Sequence, residues 1–221
     1  MRRGTEPFGC AVKRAQCPPG HRWQSAQGNR KAALWGRGTH DSLVLHVYEV
    51  QTGIVLQQIP MAQKHNEVST LKPMLTEVLC QGRILTTDAA QSYHEFGRLV
   101  QRVGGDVVVT IKDNTPLTRA DLEFFFEDAQ ADRRTWQSFE QIEKGHGRLE
   151  RRQITTSPDL NDYLRRDWGE VGQVFRVQRE RTIKGKPSVE VVYGWTSLSP
   201  TRCSPQRLLQ LTRAHWAVEI V

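Results

Sequence analysis

A chain of 221 residues with 38% hydrophobic and 25% charged content can bury a substantial core and predicts a globular domain, not a disordered, collagenous or membrane-embedded one. The net charge of +7 is unevenly spread: residues 1–40 hold eight Lys/Arg against one acid, while residues 41–221 hold 23 of each. Four scattered cysteines without a C-x-x-C pair, no long apolar run and no hydrophobic signal segment exclude a disulfide framework and a membrane span, and predict a cytoplasmic protein.

Residues 1–38 show neither helical nor strand periodicity and predict a poorly ordered leader that holds nearly all the surplus charge. Leu43–Val50 and Ile54–Ile59 read as strands of a hairpin turning at Gln51-Thr-Gly53. Asn66 can cap a helix through Val68, Leu71, Leu75 and Leu79, with Pro73 inside it and Gly82 ending it. A short strand, Arg83–Thr87, ends on Asp88; a helix follows from about Ala89 to Val103, and Asp106–Ile111 is a buried strand by its β-branched run. Strand, helix and strand at this spacing form a parallel crossover, which sets Asp88 at a carboxyl end where open α/β sheets bind ligands.

Residues 117–130 predict an acidic amphipathic helix around Leu122, Phe125 and Phe126. The period then changes to two. Trp136–Glu143, Arg148–Thr155, Val171–Ile183 and Ser188–Ser197 read as antiparallel strands with turns at Lys144–Gly147 and Lys184–Pro187. A last helix opens at Ser204-Pro205, carries Leu208, Leu209, Leu211 and Trp216, and runs on to Glu219.

The order of elements is that of an α/β, ribonuclease-H-like mixed sheet with flanking helices, a β-rich insertion at about 115–203 before the last helix, and no first strand. Four local sequences are more specific: Thr86-Thr-Asp88-Ala-Ala-Gln91, Ile111-Lys-Asp-Asn114-Thr-Pro, Lys144-Gly-His-Gly-Arg148-Leu-Glu-Arg151 and Arg213-Ala-His-Trp-Ala-Val-Glu219. With a YGWTSL segment before the last helix, they make residues 39–221 resemble insertion-sequence transposases of the ISAs type, the H-repeat-associated proteins.

The resemblance implies a DDE transposase in which three carboxylates hold two Mg²⁺ (or Mn²⁺) ions for strand cleavage and transfer on double-stranded DNA at element ends and target. Asp88 matches the family's second acid and Glu219 its third, as catalytic and metal-binding residues. The first acid, in an Asp-Gly-Lys sequence on the first strand, has no counterpart, so this copy is expected to be inactive. The codons CAT CGA TGG CAA AGC for His21–Ser25, shifted by one base, read Ile-Asp-Gly-Lys; the corresponding hypothesis is that residues 1–38 are translated out of frame, and any other codons there rule it out. The family's last helix also runs on past the point where Ile220 and Val221 stand here, so the sequence predicts a shortened element.

Candidate DNA contacts are Lys112 and Asn114 after the second parallel strand, His146, Arg148 and Arg151 at the glycine-bearing hairpin, and Arg213 and His215 on the last helix. Arg179, Arg181, Lys184 and Lys186 suit a backbone-binding strand pair or a solvated face equally well. Two further readings stay open: a non-catalytic protein that binds DNA, self-associates or pairs with an intact transposase as an inhibitor, and an unfolded pseudogene product.

Overall fold

The computed structural model describes residues 9–16, 43–49, 54–61, 71–87, 94–145, 148–183 and 185–214. Its frame is one nine-stranded sheet in the order β3-β2-β1-β4-β5-β9-β8-β7-β6. The strands are β1 (Gly9–Gln16), β2 (Leu43–Glu49), β3 (Val55–Met61), β4 (Ile84–Thr87), β5 (Asp106–Ile111), β6 (Gln137–Gly145), β7 (Arg148–Ser157), β8 (Gln173–Ile183) and β9 (Lys186–Thr196).

The place expected to lack a strand is filled. β1 pairs antiparallel with β2 through seven residue pairs, Cys10↔Glu49 to Gln16↔Leu43, and parallel with β4 from Gly9↔Ile84 to Val12↔Thr87. The expectation of a missing first strand is therefore corrected, and with it the reading of residues 9–16 as part of a structureless leader. Weak local propensity in Gly-Cys-Ala-Val-Lys-Arg-Ala-Gln is overridden by hydrogen-bonding partners on both sides. Residues 1–8 and 17–42, including the proposed out-of-frame His21–Ser25, lie outside the described residues.

β4 and β5 run parallel, and the β-rich insertion extends the same sheet, β5 pairing antiparallel with β9 and β9 through β6 forming a meander. Side chains alternate along each strand, so the sheet has two apolar faces. On one face Leu85, Val107, Val109 and Ile111 pack with α2 (His94–Arg102), α3 (Pro116–Glu127) and α4 (Asn161–Trp168). On the other face Ile84, Val108, Ile154 and Phe175 pack with Leu208, Leu209 and Leu211 of α5 (Pro205–Ala214). Each buried leucine of α5 contributes roughly 1.5–3 kcal/mol of burial.

Two helices differ from expectation. The single helix expected through residues 66–79 is broken where Pro73 lacks an N–H: Lys72–Met74 form a 3-10 turn, and α1 (Glu77–Cys80) restarts after Thr76, whose Oγ1 accepts from the Leu79 N–H at 3.4 Å. Asn66 and Val68 lie outside the described residues. The unexpected helix is α4, which buries Leu164 and Trp168 and ends at Gly169 with φ +84°.

The YGWTSL segment is a packing element. Trp195 is fully buried, 5.5 Å between ring centroids from Trp168, and faces Gly97 of α2, where an added Cβ would stand 2.8 Å from its ring. Asp106, which opens β5, accepts from Ser197 Oγ at 2.8 Å and from both terminal nitrogens of Arg202.

Candidate nucleic-acid interface

At the carboxyl end of β5 the sheet and α5 enclose an open groove of about 600 Å³. Its walls come from three sources: Thr110 and Lys112 at the end of β5, the inward side chains of β7, β8 and β9, and Leu209, Thr212 and Arg213 on the last described turns of α5. Strand alternation sorts the charges. Arg148, Glu150 and Arg152 of β7 point to the groove side, as do Arg179 and Arg181 of β8, whereas Arg151 points to the opposite face.

Glu150 is 1% exposed and lies among three guanidinium groups. Arg179 donates to its Oε1, Arg152 stands 2.6 Å from that same oxygen, and Arg148 Nε stands 3.3 Å from Oε2. Burial pushes the Glu150 carboxyl up, but the Arg179 hydrogen bond and the charges of Arg152, Arg179 and Arg148 outweigh it and leave its pKa lowered. A second carboxylate continues the network: Glu143 takes Arg152 at 2.7 Å and Arg213 at 2.9 Å. Its pKa is held down chiefly by the Arg152 hydrogen bond. Glu190 stands 3.7 Å from both Arg179 and Arg181.

Of the sequence candidates, Lys112, Arg148 and Arg213 meet in the groove. Arg151 does not; Glu140 at 2.6 Å and Glu180 at 3.6 Å hold it on the far face, and its guanidinium pKa is raised by them. Asn114 is exposed in the turn between β5 and α3 and is not part of the groove wall. Asp88, His146, His215 and Glu219 lie outside the described residues. The role of Glu150 was missed, although Arg148-x-Glu150-x-Arg152 opposite Arg179-x-Arg181 on period-two strands already places those five groups on one face.

The sequence matches the family described as Transposase DDE domain over residues 15–221. The chain belongs to that family. Among curated relatives, an uncharacterized protein from the dhlA 3′ region of Xanthobacter autotrophicus is 29% identical over 157 residues, 70% of this chain and 52% of that protein. The H repeat-associated putative transposase YhhI of Escherichia coli (strain K12) is 24% identical over 182 residues, 80% of this chain and 47% of that protein. YbfD, likewise described as an H repeat-associated putative transposase from that strain, is 26% identical over 132 residues, 60% of this chain and 49% of its own length. The chain spans about half the length of the curated relatives it matches. A cryo-EM structure of a piggyBac transposase synaptic complex with hairpin DNA aligns with 97% of this chain and 39% of its own at a TM-score of 0.42 and 12% identity.

The family's divalent ions need a cluster of acids, and the two candidate acids, Asp88 and Glu219, lie outside the described residues. β1, seated beside β4, reads Gly-Cys-Ala-Val-Lys-Arg-Ala-Gln and contains no carboxylate. Among the described residues no group of three or more His, Cys, Asp or Glu side chains could hold a metal ion. Among the described residues no helix is long and apolar enough to cross a membrane.

Proposed function

We propose that this chain is a transposase-derived protein that holds DNA in the basic groove without cutting it. The observation that carries the reading is the groove's charge. Among the described residues six cations, Lys112, Arg148, Arg152, Arg179, Arg181 and Arg213, face three carboxylates, Glu143, Glu150 and Glu190, a surplus of three positive charges among these groups on one concave surface. Phosphodiester oxygens are the complementary chemistry, since they accept from guanidinium groups and release counterions on binding.

Asp88 and Glu219 are the remnant of the ancestral site on this reading. Supporting their convergence, Asp88 follows Thr87 at the end of β4, and Thr110 of neighbouring β5 donates to the Thr87 carbonyl at 3.4 Å. Thr110 lines the same groove as Thr212 and Arg213, on the helix whose sequence continues toward Glu219. Without an acid on β1, cleavage is lost while backbone binding remains, and a chain that occupies element ends would inhibit an intact transposase by competition or by joining its assembly.

The test uses purified chain and a labelled duplex carrying the insertion-sequence end. Retention that weakens steeply with salt, with no nick in Mg²⁺ or Mn²⁺, is expected; each phosphate contact contributes about 0.9 to the log–log salt slope. Nicking would refute the non-cleaving reading, and no retention at about 50 mM salt, where electrostatic binding is strong, would refute DNA binding.

A further inference from the structure

We infer that Glu150 is a positioning residue: its buried carboxylate fans Arg148, Arg152 and Arg179 into a preorganised clamp for one stretch of phosphodiester backbone. The inference rests on the DNA-holding reading and deepens it by naming what arranges the groove.

Burying a carboxylate to 1% exposure is unfavourable unless its lone pairs are matched. Here Oε1 is held by Arg179 and Arg152, while Oε2, buried and without a hydrogen bond, faces only the Arg148 charge at 3.3 Å; three guanidinium groups thus converge on one acid, two from its own strand and one from β8. In an exposed setting long arginines sample many rotamers, and ordering each one on binding costs about 0.5–1.5 kcal/mol. A shared buried anchor removes much of that cost before the ligand arrives. The side chains remain reachable: Arg148 is 48% exposed and Arg179 31%, whereas Arg152, at 9%, braces them from below and links Glu150 to Glu143. Arg181, two residues beyond Arg179 on the same strand face, extends the line by one strand repeat, about 7 Å. Arg213 closes it from α5 through Glu143 and through Gln141 Oε1 at 2.9 Å.

This arrangement gives a prediction of unusual sign. Glu150→Gln removes a negative charge from a groove that binds a polyanion, so a purely electrostatic role makes binding tighter. A positioning role makes it weaker, because the amide no longer anchors three cations and one of its own hydrogens faces them.

Fluorescence anisotropy with a labelled duplex of about 24 base pairs, long enough to cover the groove, measures Kd for each variant across a salt series. The expected result is a rise of about tenfold in Kd for Glu150→Gln, with the salt slope lower by about one or two contacts. Arg181→Ala, which among the described residues gives up one long ion pair, 3.7 Å to Glu190, is expected to keep the wild-type melting temperature and lower the slope by about one. Glu150→Gln binding as tightly as wild type, or more tightly, overturns the inference while leaving DNA binding intact. If that variant does not fold, Arg148→Ala with unchanged Kd and slope overturns it instead. Wild-type chain that does not bind defeats the broader reading, which separates the two failures.

Discussion

Gly194 lies at the seam where the insertion joins the central sheet, paired with Thr110 across β9 and β5. A Cβ there would come below 3.0 Å from both the Phe175 ring and the carbonyl oxygen of Val109, distances real Cβ atoms essentially never show. Gly194→Ala therefore sets two effects against each other. Replacing a strand glycine restricts the unfolded chain and favours folding by about 0.5–1 kcal/mol. Overpacking a buried site opposes it by about 1–3 kcal/mol, and the upper end applies because one obstacle is backbone and cannot rotate away. The net loss is about 2 kcal/mol, which for a domain of this size lowers Tm by about 4–8 °C. Thermal melting by circular dichroism measures it, with Gly145→Ala as control, since a Cβ at Gly145 meets nothing within 4 Å. Phe175→Leu combined with Gly194→Ala is expected to lose less than the sum of the two single changes, because the ring obstacle is shared. A Gly194→Ala melt within about 1 °C of wild type would refute the β5–β9 seam and, with it, the continuity of insertion and sheet.

Two further outcomes follow from the groove. The Glu150 pKa is lowered by its arginines, so its contribution to stability is fully present above the unfolded glutamate value and is lost as pH falls through the lower folded value. A Tm series from pH 6 downward should show a steeper acid limb for wild type than for Glu150→Gln; parallel limbs would contradict the lowered pKa. Magnesium at about 5 mM is expected to move Tm by less than about 1 °C, whereas occupancy at a hundredfold excess over Kd would add about 2.7 kcal/mol and raise Tm by about 5–10 °C.

The parallel pair β4 and β5 and the insertion meander were legible because their signals are local: a run of β-branched residues buried on both faces, and period-two alternation between turn sequences. β1 was not, since Gly9–Gln16 alternates weakly and owes its strand to β2 and β4, which are distant in sequence. α4 was readable and overlooked; Leu160, Leu164 and Trp168 recur every fourth residue, followed by Gly169. For the groove, residue type was visible and direction was not. Arg148 and Arg151 looked alike as neighbours of the hairpin, and only the pairing of β7 with β6 and β8 sends one into the groove and the other to Glu140 and Glu180.

On the proposed reading, a β1 without an acid and a retained groove are physically compatible because they depend on different strands. Four of the groove's five arginines sit on β7 and β8, joined to β5 through β9 by backbone ladders between main-chain groups alone. A metal-free triad of acids repels an incoming phosphate, and one unit charge about 8 Å away opposes it by roughly 0.5–2 kcal/mol for effective dielectric constants of 80 to 20. In this chain the strand beside β4, Gly9–Gln16, has no Asp or Glu in its sequence, so on the proposed reading that repulsion is reduced by at least one charge. DNA binding should accordingly persist undiminished in EDTA, where an intact triad stripped of its ions would bind less well; a Kd that rises severalfold on chelation would show that metal still bridges protein and phosphate.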